Sequence, residues 1–278
     1  MGDIQHTYTH LDTEEEEEII DPGMKKTWAS RPWWLYALIL IFIYTAWSVY
    51  SRENLREAYN FIISGISVTI VTAIVAYLIA ILLGLLAGLG RISRNVVANN
   101  VATFYVEFIR GVPMLVLIFF IALVGVPTVV DWLNALGFVN IENNMIPTEV
   151  RAVIALSVTY GAFLAEIFRA GIQSITRGQM EAARSLGMSY GQSMRYVILP
   201  QAIRNVLPAL GNDFVAMVKD SSLVSLLAVG DITYRAKLYS GSSFRFRESY
   251  TILSLLYLLM TVILSRVVHQ IERRMSND

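Results

Sequence analysis

The sequence has no cysteine, only three histidines, and charged residues at just 16% of its 278 positions. Each shortage excludes something. Without thiols there are no disulfides, no thiol nucleophile and no cysteine metal site, and the redox compartment leaves no trace. The histidines, His6, His10 and His269, lie near the chain ends or at the end of an apolar run, and His-Glu-x-x-His is missing. Gly-x-x-x-x-Gly-Lys-Ser/Thr is missing too, so no phosphate-cradling loop is present, and nothing resembles a nucleophile elbow. The sequence therefore offers no catalytic residue and no metal ligand set. Formal net charge is zero, so no overall field suggests nucleic acid.

What is abundant is apolar sequence, 55% of residues, with a mean hydropathy of +0.53. It comes in blocks, as a membrane protein requires. A helix needs about 20 mostly apolar residues to cross a bilayer. Six stretches are expected to do so: Trp33–Tyr50, Phe61–Leu89, Val101–Val124, Val150–Ala170, Ile203–Val229 and Tyr250–Val268. The second holds Gly84 and Gly88 at the spacing that lets helix backbones approach. The fifth carries Pro208, Asn212, Asp213, Lys219 and Asp220, so it is expected to lie inside a bundle and to kink near Pro208. Residues 1–31 are a polar tail with an acidic run from Glu14 to Glu18, expected to be disordered because like charges repel and no core can form. The tail lacks the positively charged start of a signal peptide. Basic residues favour a cytoplasmic N-terminus and, with six spans, a cytoplasmic C-terminus. The last outer loop, with Arg235, Lys237, Arg245 and Arg247, is the exception.

Between the fourth and fifth stretches lies "GQMEAARSLGMSYGQSMRYVILPQAIRNVLP", residues 178–208, polar and helix-prone. Gln179 to Leu186 are good helix formers, with Glu181 and Arg184 at i,i+3. Gly187 stands where a helix end needs a left-handed residue. Ser189 and Gln192 form a capping box for a second helix with Tyr190, Met194, Val197 and Ile198 on one face, and Pro200 signals its end. Local physics leaves two uses open for this two-helix elbow: docking a partner, or packing on its own bundle at the membrane surface.

Glu181-Ala182-Ala183, Gly187 four residues on, and Leu199-Pro200 closely resemble the EAA loop of the permease subunits of binding-protein-dependent ABC importers. The resemblance extends to "YVEFIRGVPMLVLIFF" (105–120), where Val112 replaces the usual threonine, and to "GAFLAEIFRAGIQSITRGQMEAARSLGMS" (161–189). "VKDSSLVSLLAVGDI" (218–232) and the closing "ERR" also match the polar-amino-acid branch of that family. It covers about residues 60–274 and implies an all-α integral membrane fold. A five-helix importer core would be preceded by one additional helix and connector, 32–59. By this resemblance Glu181, Ala182, Ala183, Arg184, Leu186, Gly187 and Ser189 face a cytoplasmic ATPase subunit. It also implies two ATPase subunits holding ATP and Mg, a second permease subunit (the same chain or a paralogue), an extracytoplasmic substrate-binding protein, membrane lipid around the spans, and a bacterial inner-membrane location. This chain would bind no cofactor of its own.

A polar amino acid carries an ammonium and a carboxylate, and a low-dielectric path needs partners for both. Ionisable residues at membrane depth are the candidates. Glu166 stands in an apolar helix with Tyr160 and Thr159 one to two turns before it, and it can instead pair with Arg169 or Arg110. Lys219, Asp220, Ser221 and Ser222 form a second cluster, in which Lys219 and Asp220 can neutralise each other. An ion-gradient-driven secondary transporter is the alternative reading, although no internal repeat of the kind such folds show is evident. A scaffold that recruits a partner through the elbow would have little need for charges at membrane depth.

Overall fold

Apolar runs that cannot pair their backbone with water in a bilayer must close their hydrogen bonds internally. The structure, a computed structural model, describes residues 33–138 and 140–276 and is helical, with no strand among them. The expectations for residues 1–31 lie outside the described residues. The chain divides into two compact units, Met1–Ala46 and Trp47–Asp278. Helix α1, Trp33–Ser51, runs across the division and is apolar almost all round. The second unit holds α2 (Glu53–Ile63), α3 (Ile66–Arg91), α4 (Val96–Gly111), α5 (Met114–Phe120) and α6 (Val126–Ala135). After these come α7 (Thr148–Gln173), α8 (Arg177–Ser185), α9 (Tyr190–Ser193), α10 (Leu199–Asp220), α11 (Ile232–Ser243) and α12 (Phe246–Ser276).

Among the described residues five helical runs are long and apolar enough to cross a membrane: Trp33–Ser51, Glu53–Arg91, Met114–Ala135, Thr148–Gln173 and Phe246–Arg274. The third expected stretch, Val101–Val124, is corrected. Helix α4 stops at Gly111, Val112 is extended (φ −111°, ψ 139°), and a fresh helix starts at Met114. Pro113 is the cause, since it lacks an N–H and pushes the residue before it out of the helical region. The continuous run then passes through a π-helical turn, Ile121–Gly125, to Ala135. The fifth stretch is corrected as well. Helix α10 starts at Leu199 rather than Ile203, and beyond Asp220 the chain tightens into a 3₁₀ segment, Ser221–Leu227, closed by left-handed Ala228. Its polar residues keep α10 outside the five runs. It also continues through Pro208 as one helix.

The close approach expected at Gly84 and Gly88 is found between α3 and α7, which start at the same end and run in parallel. A Cβ on Gly84 would lie 2.6 Å from Leu164 Cβ, and one on Gly88 2.8 Å from the Ala165 carbonyl. Gly161 on the facing helix is equally tight, with Leu83 Cβ 3.0 Å away. Around this seam sits the main core, which includes Tyr77, Ala80, Ile118, Leu156, Leu164 and Met217. A second core, including Ile62, Ile232, Ile252 and Leu256, joins α2, α11 and α12. Asn95 caps α4 by accepting from the Val97 and Ala98 amides, and Tyr105 of α4 donates to the Val158 carbonyl of α7 (2.6 Å).

Candidate coupling elbow and polar clusters

The polar insertion folds as a sharp elbow. Helix α8 ends with Gly187 at φ +84°, a conformation that costs any side-chain-bearing residue about 1–2 kcal/mol. The Gly187 amide donates to the Arg184 carbonyl (3.0 Å) and the Met188 amide to the Ala183 carbonyl (3.2 Å), so the free helix end is closed. The capping box is complete. Ser189 Oγ accepts from the Gln192 amide (3.3 Å), and Gln192 Oε1 accepts from the Ser189 amide (2.8 Å). Helix α9 does not end at Pro200 as expected. It widens into a π-helical turn, Met194–Ile198, and continues as α10. Pro200 falls in the first turn of α10, where the hydrogen-bond register is being reset and a missing N–H leaves little unpaired.

Glu181, Ala182, Arg184, Leu186, Gly187 and Ser189 are exposed. Ala183 differs: it is only 5% exposed and turns into its own chain, one helical step away from Ala182. Ile198 is buried, but Tyr190, expected on the same face, is exposed, as is Tyr196. No ion pair joins Glu181 to Arg184 among the described residues. The elbow thus presents a carboxylate, a guanidinium, a small alanine surface and the fully displayed Leu186 (84% exposed). Behind it, α7 and α10 enclose a cleft of about 600 Å³, where Asn205 donates to Ser174 Oγ (2.9 Å).

The residues expected along a pathway separate into two groups. Glu166 is held by Arg91 from the end of α3 (2.7 Å) and by its own neighbour Arg169. Arg91 also reaches Glu107 of α4 (3.1 Å), so one guanidinium ties three helices. Arg110 does not join them; it lies over the Phe163 ring at 5.9 Å. The second group centres on Asp220, whose Oδ2 accepts from the Tyr160 hydroxyl (2.6 Å). Lys219 is exposed and does not neutralise Asp220, because consecutive helical residues point about 100° apart. Ser221 is buried and donates back to the Val218 carbonyl (2.7 Å), while Ser222 is half-buried. Thr159 is fully buried and its hydroxyl has no partner. No hydrogen bond or ion pair joins the two groups among the described residues.

Sequence reasoning missed two polar residues that fix neighbouring elements. Tyr77 of α3 donates to the Leu210 carbonyl inside α10, and its ring stacks at a tilt on Phe214. Asp231, 1% exposed, caps α11 by accepting from the Tyr234 amide (2.8 Å), and its backbone rests against Gly65. An aspartate just before a helix-forming run was a readable cap signal. Tyr77 gave none, since a tyrosine in an apolar run looks like core.

Residues 80–277 match the family described as the binding-protein-dependent transport system inner membrane component, and the chain belongs to it. It is a multi-pass inner-membrane protein of the permease class. Among its relatives is the arginine transport system permease protein ArtQ of Bacillus subtilis, 35% identical over 78% of this chain and 94% of that protein. Another is the glutamine transport system permease protein GlnP of Escherichia coli K12, 35% identical over 64% of this chain and 76% of that one. The crystal structure of an amino acid ABC transporter with histidines superposes with a TM-score of 0.66 at 40% identity, covering 77% of this chain and 94% of the other.

Proposed function

We propose that the chain is a translocating subunit of an ATP-driven importer for polar amino acids, delivered by an extracytoplasmic binding protein. The observation that carries this reading is the elbow. An exposed, rigidly capped pair of short helices bearing Glu181, Ala182 and Leu186 stands in a permease that has no phosphate-binding loop of its own. It is the socket for a separate ATPase subunit on which ATP and Mg bind. Four membrane-crossing runs precede it, so it sets the N-terminus on the cytoplasmic side, and α10 crossing as a polar inner helix before α12 sets the C-terminus there too. Its relatives include permease proteins of arginine and glutamine transport systems, which favours cargo with an ammonium and a carboxylate. Asp220, with Tyr160 fixing one of its oxygens, suits the ammonium, and exposed Lys219 suits the carboxylate on the path shared with a second permease subunit. Glu166, doubly paired, acts as the brace of that path and reaches cargo only if Arg91 releases it.

The test is uptake by the complete complex in proteoliposomes with its binding protein. ATP enclosed with the ATPase side should drive accumulation of labelled amino acid with no ion gradient present. Accumulation that follows a proton or sodium gradient and ignores ATP would support the secondary-transporter reading and sink this one.

A further inference from the structure

Helices α3 and α7 meet in two ways along their shared length. Toward their C-terminal ends Gly84, Gly88 and Gly161 bring the backbones together. Toward their starts the facing residues are β-branched: Val68, Val71 and Val75 on one helix, Val150 and Val153 on the other. These side chains are stiff at χ1, so the surface they line holds its shape. A groove of about 490 Å³ opens between the helices, with Thr72 on its floor and Ser67 and Glu149 at its mouth. Val71 is 59% exposed and Val150 44%, so nothing else in the second unit covers the groove.

Both helices belong to membrane-crossing runs, so the valine trough lies at hydrocarbon depth. Helix α7 has 26 residues, about 39 Å at 1.5 Å each, which exceeds the ~30 Å hydrocarbon core. Glu149, its second residue, therefore sits at headgroup level. It is the one charged residue lining the groove, is exposed, and pairs with no cation among the described residues. Arg151 is turned elsewhere, donating to the carbonyls of Ile146 (3.3 Å), Asn143 and Ala122 (3.5 Å). The helix N-terminus favours an acidic residue there, but it accounts for neither the trough nor its alignment under the carboxylate.

We propose that this groove binds a phospholipid whose headgroup carries a primary ammonium, with one acyl chain in the valine trough and the ammonium on Glu149. A primary ammonium gives the carboxylate both charge and hydrogen bonds. A quaternary ammonium cannot donate, and a phosphoglycerol headgroup brings only like charge. The proposal rests on the membrane location and not on what the chain transports.

The intact complex, reconstituted with equal phosphatidylethanolamine and phosphatidylcholine, should retain phosphatidylethanolamine in native mass spectrometry with a preference of about fivefold, the size of one partly exposed ion pair. Glu149→Gln should bring the two lipids to parity while the melting temperature holds. Val71→Trp, which fills the trough, should remove both. Parity in the unmodified protein, or a preference that survives Glu149→Gln, overturns the proposal. The chain has no cysteine, so Val71→Cys places a single thiol in the groove. An oxidative crosslink between two copies through that thiol would assign the groove to a protein contact and overturn the lipid site as well.

Discussion

Gly187 and Asp231 each fix a turn that the rest of the chain relies on. At φ +84°, and with no heavy atom within 4 Å of where a Cβ would be, Gly187 is constrained by backbone conformation and not by crowding. Gly187→Ala should therefore cost about 1 kcal/mol locally and redirect the elbow. ATP hydrolysis stimulated by loaded binding protein should fall together with uptake, while the complex still assembles on a sizing column. Asp231 is a different case. Burial pushes its carboxyl above the ordinary aspartate range, and hydrogen bonds from Tyr234, Thr233 and Tyr257 oppose part of that rise. Between the ordinary value and the raised one the native state binds more protons than the unfolded state, so this group's contribution to stability falls as pH rises through that window and is flat above it. Asp231→Asn keeps an oxygen for the Tyr234 amide and should flatten that dependence in melts taken at rising pH from the ordinary aspartate range upward. Asp231→Ala loses the cap and should cost about 1 kcal/mol below that window and less above it.

At the scale of elements, the seam between α3 and α7 depends on missing side chains. The Cβ of Gly84→Ala would have to displace Leu164 and crowd the Gly161 carbonyl, 3.0 Å away. The helices would part, and the main core beside them would loosen. A loss of about 1–3 kcal/mol is expected, read as a lower melting temperature of the purified chain. Gly111→Ala is the control, since a Cβ there meets nothing within 4 Å, and it should be neutral or slightly stabilising. The spacing of Gly84 and Gly88 was legible in the sequence, because small residues four apart share a helix face. Which helix they meet was not. Periodicity assigns a face and carries no information about the partner, and the partner helix begins only at Thr148. The break at Pro113 was legible in principle, since Gly111-Val112-Pro113 is a helix stop. Apolar count across 101–124 hid it.

For the molecule as a whole, the family match falls on residues 80–277, and Met1–Ala46 forms a separate unit. The additional N-terminal segment should be dispensable for transport. A chain starting at Trp47 is expected to assemble and to support uptake within about twofold of the full chain, as separable units usually allow. Uptake lost with assembly intact would give that segment a part in the transport cycle.

The sequence by itself determined what depends on neighbours within a few residues: the apolar runs, the glycine elbow and the capping box at Ser189 and Gln192. Only the tertiary structure decided the pairings across long separations. Glu166 meets Arg91 from 75 residues away, and Asp220 meets Tyr160 across 60. It also turned Ala183 inward and left Lys219 outside the expected pair with its neighbour Asp220. The reason is physical. Caps and turns are closed by local hydrogen bonds, which a short stretch of sequence specifies. The partner of a charge at membrane depth is set by helix rotation and contact, which depend on every helix packed around it.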